Sequence, residues 1–312
     1  MHDLGIVIVT YNSQAEIGPC LDAALRIPQA RIVVVDNASH DGTRTEVERR
    51  GVALLANAEN RGFAAAVNQG VRAIGAEYVL LLNPDAMVEG GVEDLVRCCS
   101  RSNVGAAGGK LVDLEGRPQT GFCVRRFPSA VTLAFEALLL NRLWPRNPIN
   151  RRYRCLDVDL SMPARVEQPA GAFFLFRHET WVRLGGFDEG FYPLWFEDVD
   201  FCKRARQAGL EIWYTPGAVA KHTGGHSVSG LPLEVRELYW YRSVIRYAAK
   251  HFPSWQGRLL SLAVILGSVI RMLYGMAAGR SRGVLTAYSR VIRLAGRCIW
   301  FGPRVTLSFH VP

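Results

Sequence analysis

The first third of the chain alternates short apolar runs with segments of helical periodicity. Residues 5–10, 31–35, 52–56 and 78–82 are apolar almost throughout, as expected of strands buried on both faces. Between the first two runs, apolar residues recur at helical spacing, at Ile17, Leu21 and Leu25. Strands separated by helices predict an α/β fold, with a Rossmann-like, mostly parallel sheet flanked by helices.

Polar side chains gather where the predicted strands end. These residues are Thr10, Tyr11, Asn12, Asp36, Asn37, Asn83 and Asp85. In an open α/β sheet the carboxyl ends of the strands line the crevice in which ligands bind. The loop after the first strand lacks the G-x-G-x-x-G pattern of dinucleotide-binding folds, and the chain contains no Walker A sequence. We therefore expect a nucleotide-like ligand that is held in another way.

A second polar feature is the acidic cluster Glu197, Asp198 and Asp200, which lies among Trp195, Phe196 and Phe201. The basic run after it predicts a helix that ends at Gly209, so the acids lie at a helix N-terminus. One interpretation is an acidic cap with aromatics in the core. The other is a general base at the mouth of a cleft, which the glycine-rich aromatic segment 185–192 favours. Like charges raise the pKa of Asp198 and the helix terminus lowers it, so its net direction stays open.

Five motifs occur in order: VTYNS at 9–13, VDNASHDGT at 35–43, NRGF at 60–63, LNPD at 82–85 and FEDVD at 196–200. Together they resemble the family 2 inverting glycosyltransferases of GT-A fold, particularly the bacterial rhamnosyltransferase-like branch. The resemblance covers roughly residues 4–225. It implies a nucleotide-sugar-binding half at about 1–111 and an acceptor half at about 112–225. Beyond it, residues 226–312 are predicted from their own pattern to form a C-terminal helical, basic and amphipathic tail.

The resemblance also assigns roles to single residues. It implies that the nucleotide sugar is bound by Thr10, Tyr11, Asn12, Asp36, Asn37, Arg61, Asn83 and Asp85. Asp36 would accept the N3–H of a pyrimidine, and Arg61 would lie near the diphosphate. Asp85 would hold Mg²⁺ or Mn²⁺, whereas Asn83 is a departure from the usual D-x-D pattern. His222 either completes this metal site or is a loop histidine bonded to backbone.

For the chemistry, the resemblance implies that Asp198 is the general base and that Gly171, Trp195 and Glu197 line the acceptor and sugar pocket. The expected reaction is transfer of a sugar, L-rhamnose from dTDP-rhamnose, to a hydroxyl of a lipid-linked or polysaccharide acceptor in cell-envelope glycan synthesis. UDP-sugars are the other expected donors. The alternative is an inactive sugar-nucleotide-binding module at the membrane. The presence of Asp198 and Asp85 argues against it, because a module that had lost catalysis would be expected to have replaced them.

Charge is unevenly distributed along the chain, whose formal net charge is +9. From Lys221 onward there are 13 Lys/Arg and two acids, whereas residues 1–220 contain 24 basic and 26 acidic residues. The basic tail could bind nucleic acid or an anionic membrane surface. Its arginines alternate with aliphatic rather than base-stacking aromatic residues, so we expect a membrane partner and no nucleic acid.

The tail contains two long helical patterns. Residues 259–278 are mostly apolar with Arg271 inside the run, so this segment could span a bilayer or pack in a core. Residues 284–301 have Tyr288, Val291 and Ala295 on one face and arginines on another, which suits a helix lying on an anionic leaflet or one covering the protein's own core. Seven irregularly spaced cysteines and no recognisable secretory signal predict a cytoplasmic protein, peripheral on the inner face of the cell membrane.

Overall fold

A computed structural model describes residues 3–224, 230–279 and 281–301. The chain folds into two compact units. Unit 1 comprises Met1–Phe127, Arg154–Glu189 and Glu197–Ser229, and unit 2 comprises Pro128–Tyr153, Gly190–Phe196 and Gly230–Pro312. The main domain boundary predicted from the sequence lies near residue 225. Unit 2 also includes two stretches of the expected acceptor half, Pro128–Tyr153 and Gly190–Phe196. Residues 226–229, 280 and 302–312 of the expected tail lie outside the described residues.

All strands of the described chain belong to unit 1. They are β1 (Leu4–Thr10), β2 (Arg31–Asp36), β3 (Ala53–Ala56), β4 (Tyr78–Leu82), β5 (Ala86–Gly90), β6 (Val104–Val112), β7 (Val124–Arg125), β8 (Ala164–Val166), β9 (Gln168–Pro169), β10 (Phe173–Arg177) and β11 (Glu211–His222). The described helices are α1 (Gln14–Ala24), α2 (Thr43–Glu48), α3 (Phe63–Ile74), α4 (Val92–Cys99), α5 (Ala130–Ala137), α6 (Leu140–Leu143), α7 (Pro148–Tyr153), α8 (His178–Leu184), α9 (Glu197–Gln207), α10 (Leu233–His251), α11 (Ser254–Ala277) and α12 (Ser281–Phe301).

The nine-stranded sheet of unit 1 has the order β3-β2-β1-β4-β10-β6-β11-β5, with β8 beside β11. Its first four strands are parallel, as predicted, and β10 then runs antiparallel between β4 and β6. Alternate residues of β1 face opposite cores, because Ile6 and Ile8 pack on one side of the sheet and Val7 and Val9 on the other. The α/β fold class predicted from the sequence is confirmed.

Two strand pairings bring distant parts of unit 1 together. Phe173 at the start of β10 pairs with Leu82 at the end of β4, so the residues before Phe173 meet the turn after β4. His222 at the end of β11 pairs with Ala86 of β5, which follows the same turn. The turn at 83–85 therefore has one neighbour from residues 170–172 and another from residue 222.

Unit 2 is helical in its described part. α12 packs against α10 and α11, and α11 also packs against α5. The apolar face of α12 is turned inward, with Tyr288, Val291 and Ala295 buried, while Arg290 and Arg293 are exposed. Of the two alternatives given for this helix, its apolar face fits the one in which it covers the protein's own core. α11 is long and apolar enough to cross a membrane, which no other helix in the described ranges is.

Candidate active site

Asp36 ends β2 and organises the loops at the carboxyl edge of the sheet. Its fully buried carboxylate accepts hydrogen bonds from Thr10 Oγ1 at 3.2 Å, Ser39 N at 3.0 Å, Arg44 Nε at 2.6 Å and Ser39 Oγ. An ionised carboxylate offers about four acceptor positions. A base N–H could therefore bond Asp36 only in exchange for one of these partners.

Asn37 joins the end of β2 to the loop before α3. Its amide donates to Asn60 Oδ1 and to the Gly62 carbonyl, both at 3.1 Å, and its oxygen accepts from Arg61 N at 3.2 Å. The Arg61 backbone is thus fixed while its side chain is exposed. A long cation held by its backbone can reach a ligand phosphate above this edge.

The loop after β1 is closed over the same edge. Asn12 has a φ of +50° and is one of the few residue types that enter the left-handed region readily. Its N–H donates to Ser39 Oγ at 2.9 Å, and its Oδ1 accepts from His40 N at 2.8 Å. Tyr11 is half-buried beside it. The predicted nucleoside residues Thr10, Tyr11 and Asn12 therefore adjoin Asp36 through one hydrogen-bonded loop.

Asp85 and His222 form a buried pair at the turn after β4. The distance between Asp85 Oδ1 and His222 Nε2 is 3.5 Å, and the two side chains are 9% and 3% exposed. Gly224 N donates to Asp85 Oδ2 at 3.0 Å. Asn83 bonds through its backbone, since its N–H donates to the Ala172 carbonyl at 3.0 Å.

Gln119 sets the orientation of His222. The Gln119 amide donates to the His222 carbonyl at 2.6 Å, and its oxygen lies 3.1 Å from His222 Nδ1. This arrangement assigns the ring proton to Nδ1 and leaves the Nε2 lone pair facing Asp85. Burial lowers the pKa of His222, and Phe122 stacks on the ring at 5.3 Å. The imidazole is therefore held in its neutral form, which is the form that binds metals.

The pair fits a divalent cation. A carboxylate oxygen and an imidazole lone pair, both acceptors, face each other in a buried setting, and a cation between them would satisfy both. Within residues 3–224, 230–279 and 281–301, no group of three His, Cys, Asp or Glu side chains comes together to hold a metal. The remaining ligands would have to come from water and from the phosphates of a bound nucleotide.

Asp198 is the most accessible carboxylate of the acidic cluster at the start of α9. Its Oδ2 accepts from Gly171 N at 3.1 Å and its Oδ1 from Val199 N at 2.8 Å. A Cβ at position 171 would lie 3.1 Å from Asp198 Oδ2, so a glycine permits this close approach. Burial raises the pKa of Asp198 above its usual range, while these N–H groups and Arg125 oppose the rise. The net shift in the pKa of Asp198, which the sequence left open, is therefore upward.

The two neighbouring acids have different surroundings. Asp200 is fully buried and paired with Arg204, whose Nε lies 2.7 Å from its Oδ2. Glu197 is 7% exposed, and among the described residues its Oε2 has no hydrogen-bond partner. Burial and the nearby Asp198 raise the pKa of Glu197 well above its usual range. Burial thus favours the protonated form of Glu197, and Asp198 is the more exposed carboxyl of the two.

Trp195 belongs to unit 2. It and Phe196 adopt left-handed backbone conformations, with φ of +75° and +71°, which cost about 1–2 kcal/mol per residue. The rings of both residues pack on Trp240 of α10, at centroid distances of 5.5 and 5.3 Å. The aromatic pair before α9 is thus fixed within unit 2.

Unit 1 brings together most of the predicted site. Asp85 and His222 meet at one turn, and Asn83 N bonds the carbonyl of Ala172, which follows the Asp198 partner Gly171. The sequence analysis missed Gln119, which orients His222, and Arg125, which acts on the charge of Asp198. Both lie in residues 117–125, where no motif or periodicity distinguishes them from a surface loop.

Known proteins share this architecture. The mannosyltransferase PcManGT from Pyrobaculum calidifontis, solved in complex with GDP-Man and Mn²⁺, superposes with a TM-score of 0.56 at 18% identity, over 96% of this chain and 88% of that chain. At this identity the likeness shows the fold alone.

Two curated relatives are similar in sequence. The low-salt glycan biosynthesis hexosyltransferase Agl10 of Haloferax volcanii is 24% identical over 217 residues, which are 68% of this chain and 64% of that protein. The rhamnosyltransferase WbbL of Escherichia coli is 27% identical over 198 residues, 61% of this chain and 69% of that protein. Residues 5–117 match the family model described as glycosyl transferase family 2, and the chain has the fold of the GT-A glycosyltransferases.

Proposed function

We propose that the protein is an inverting, metal-dependent glycosyltransferase that moves a sugar from a nucleotide donor to an acceptor hydroxyl. The observation that carries the proposal is Asp198. It is a partly accessible carboxylate of raised pKa, fixed by two backbone N–H groups. Its partner Gly171 precedes Ala172, whose carbonyl accepts from Asn83 N in the turn that carries Asp85 and its partner His222. A single displacement needs a general base for the acceptor hydroxyl and a cation that stabilises the departing diphosphate, and this site has residues suited to both.

In the proposed step, Asp198 takes the proton of the acceptor hydroxyl while the oxygen attacks the anomeric carbon. The new carbon–oxygen bond forms opposite the bond to phosphate, which breaks and releases the nucleoside diphosphate, so the configuration inverts. The raised pKa of Asp198 makes its ionised form a stronger base for this proton. The Gly171 and Val199 N–H groups keep the carboxylate in one orientation for this transfer.

Donor binding is assigned to the carboxyl edge of the first parallel strands. Thr10, Tyr11, Asn12, Asp36 and Asn37 would surround the nucleoside, and Asp36 would exchange one of its present bonds for the base N3–H. Arg61 and Asn83 would lie along the diphosphate and sugar. The similarity to the rhamnosyltransferase WbbL supports L-rhamnose, and hence dTDP-rhamnose, as the first donor to test.

Asp85 and His222 are the residues that would hold Mg²⁺ or Mn²⁺. When bound, the cation supplies charge neutralisation for the departing diphosphate. Gln119 fixes the orientation of the His222 ring through Nδ1, and the Gly224 N–H holds the second oxygen of Asp85. We assign Gly171 and Glu197 of unit 1 to the acceptor and sugar pocket, and the role of Trp195 of unit 2 stays a prediction from the sequence.

We further propose that the acceptor is lipid-linked or a growing polysaccharide, and that the protein works at the cytoplasmic face of the cell membrane in cell-envelope glycan synthesis. Two relatives, a hexosyltransferase of low-salt glycan biosynthesis and a rhamnosyltransferase, support the substrate class. The basic unit 2 supports an anionic membrane surface as partner, since it contains 16 Lys/Arg and three Asp/Glu.

A thermal-shift panel of nucleotide sugars, with and without Mn²⁺, followed by transfer assays, tests the proposal. We expect dTDP- and UDP-sugars to raise the melting temperature most, because ligands that bind only the folded state stabilise it. Transfer should stop in EDTA and return with added Mn²⁺ or Mg²⁺. A preference for guanosine or adenosine donors, or full turnover in EDTA, would contradict the donor and metal assignments. Donor binding without transfer to any acceptor would favour a binding module instead.

A further inference from the structure

The helix α11 of unit 2 has an inverted distribution of side chains. Its outward residues are large and apolar: Trp255, Leu259, Leu262, Leu266, Val269, Ile270, Leu273, Tyr274 and Met276. At about 100° per residue they fall within an arc of about 160°. Arg258 lies at one margin of this arc, and the sequence brings no other charge into it. We call these nine residues the apolar face of α11.

The inward residues of α11 are mostly small. They include Gly257, Ser261, Gly267, Ser268 and Gly275. A Cβ at Gly267 would lie 2.0 Å from the Ala137 carbonyl oxygen, and one at Gly275 would lie 2.6 Å from Val284 Cγ1. The neighbouring helices therefore approach α11 as closely as glycine allows.

Three polar side chains of α11, those of Ser261, Ser268 and Arg271, form hydrogen bonds inside unit 2. Ser261 Oγ donates to the Gly257 carbonyl at 2.9 Å, and Ser268 Oγ to the Val264 carbonyl at 2.7 Å. Arg271, which interrupts the apolar run, turns inward and donates to the carbonyls of Glu136, at 3.3 Å, and Ala137 at the end of α5. Ser261, Ser268 and Arg271 therefore do not have to be solvated through the apolar face, whereas Arg258 is exposed at its margin.

This arrangement differs from a helix of a water-soluble core, which buries its large apolar residues and exposes polar ones. Small residues at helix contacts, serines bonded to their own helix and large apolar residues turned outward are the pattern of helices in lipid. A second copy of the chain is the other occupant that such a face could accept. Pairing two copies through units that each have 16 basic and three acidic residues would bring like charges together.

We infer that α11 lies lengthwise in the surface of an anionic bilayer, with its apolar face buried among the acyl chains and without crossing the membrane. The inference rests on the proposed membrane association and names the element and orientation that produce it. α12 packs along α11 and exposes Arg290, Arg293 and Arg297. A spanning α11 would draw these arginines into hydrocarbon, whereas an in-plane α11 leaves them free to meet lipid headgroups.

The first experiment measures flotation of the full chain with phosphatidylcholine vesicles that contain phosphatidylglycerol. The test variant carries Leu259→Gln, Leu266→Gln and Leu273→Gln, at positions that are 55%, 55% and 58% exposed. The matched control carries Leu25→Gln, Leu114→Gln and Val182→Gln in unit 1, which are 51%, 55% and 57% exposed. Both variants remove three exposed aliphatic side chains without changing charge.

We expect the α11 variant to bind vesicles at least about 100-fold more weakly and the control to bind as the unmodified chain does. The unmodified chain should also stay partly bound in about 1 M salt, where charges are screened beyond about 3 Å. Equal binding of all three proteins would overturn the assignment of α11. Complete release by salt would overturn burial of its apolar face, and a dimer that the α11 variant dissociates would make a second copy the occupant.

The second experiment reads orientation and does not depend on the triple variant folding. Leu259, Leu266 and Leu273 are replaced singly by Cys, labelled with a nitroxide and measured for depth in the bilayer. The seven native cysteines are all buried, so the introduced thiol is the reactive one. An in-plane helix gives three equal depths, whereas a spanning helix gives depths that differ by up to about 21 Å between residues 259 and 273.

Failure of this inference can be distinguished from failure of the proposed enzyme function. If the unmodified chain fails to bind the vesicles, both the membrane association and the role of α11 are wrong. Donor hydrolysis measured without vesicles reports on Asp198 and Asp85 independently of α11. A protein that binds vesicles through α11 yet neither hydrolyses nor transfers any nucleotide sugar would leave this inference intact and overturn the proposed enzyme.

Discussion

Units 1 and 2 differ in what they bury and what they expose. Unit 1 contains 21 Lys/Arg and 25 Asp/Glu, and it buries charged or titratable side chains that include Asp36, Glu197, Asp200 and His222. Unit 2 contains 16 Lys/Arg and three Asp/Glu, and its buried polar side chains in the described ranges are only Thr, Asn and Ser. Its exposed surface includes the nine apolar residues of α11.

Each unit therefore departs from the usual globular pattern in one direction. Buried carboxyl groups in unit 1 are expensive unless they are paired or have a function, and Glu197 Oε2 has no hydrogen-bond partner among the described residues. Exposed apolar residues in unit 2 are tolerated singly, but a continuous face indicates a binding surface. The buried polar groups of the candidate site therefore lie in unit 1, and the exposed apolar face lies in unit 2. Variants can be chosen that change one of them alone.

The largest effect is expected in unit 1 from Asp198→Asn. Turnover should fall by about 10²–10⁴, because the amide cannot accept the acceptor's proton. Donor affinity should change little, since the residues assigned to nucleotide and metal are untouched. Single-turnover kinetics with a matched donor-binding measurement separates the two effects.

Glu197→Gln is the matched control for that variant. Burial raises the pKa of its carboxyl and so favours the neutral form, which the isosteric amide resembles, and turnover should stay within about tenfold. Asp200→Asn is a poor control, because it breaks the buried pair with Arg204 and should destabilise the fold by about 3–5 kcal/mol. If Asp198→Asn stays active while Glu197→Gln is inactive, the base is a different carboxylate.

The next effect is expected from Gln119→Ala. Losing both bonds to His222 frees the ring and its tautomer, which should weaken Mn²⁺ binding by about 10–100-fold. Titration of Mn²⁺ in the presence of a nucleoside diphosphate measures this. Gln119→Glu keeps an acceptor for Nδ1 and should recover part of the affinity. Unchanged Mn²⁺ affinity in Gln119→Ala would remove His222 from the proposed ligands.

A smaller, directional effect is expected from Arg125→Gln. Asp198 acts when ionised, and Arg125 favours that form, so losing the cation should raise the pKa of Asp198 further. The acidic limb of the pH profile of kcat/KM should therefore move to higher pH, with activity still rising as pH rises through it. Arg126→Gln is the matched control, since Arg126 is paired with Asp157 at 2.9 Å and is not among the groups that shift Asp198. A shift to lower pH, or equal shifts in both variants, would contradict the role of Arg125.

The sequence predicted the first half of unit 1 well because its signals are local. Continuous apolar strands and polar residues at their ends specify a parallel sheet and its ligand edge without knowledge of distant contacts, and β1 to β4 confirm this. The match of residues 5–117 to the family covers the same part. The roles assigned to single site residues stay predictions.

Other features depend on contacts that periodicity does not encode. The inward turn of Arg271 requires the carbonyl end of α5, more than 130 residues earlier in the chain, and Gln119 reaches His222 across 103 residues. The apolar face of α12 is buried because α10 and α11 cover it, whereas an isolated amphipathic pattern suits a membrane equally well. The sequence could show that the tail is helical and basic, but not which helix turns its apolar side outward.

The smallest effect distinguishes close packing in unit 2 from helix propensity. Gly267 and Gly296 are both inside helices, α11 and α12, but a Cβ at Gly267 meets the Ala137 backbone at 2.0 Å whereas one at Gly296 meets nothing within 4 Å. Gly267→Ala should lower the free energy of unfolding by about 1–3 kcal/mol, because the backbone of α5 must move. Gly296→Ala should raise it by up to about 1 kcal/mol through helix propensity alone. Chemical denaturation followed by far-ultraviolet circular dichroism measures both, and donor hydrolysis without vesicles should be unaffected in either variant. Equal stability changes would mean that α11 does not depend on small residues at its inner face, and the contrast between its two faces would lose its structural basis.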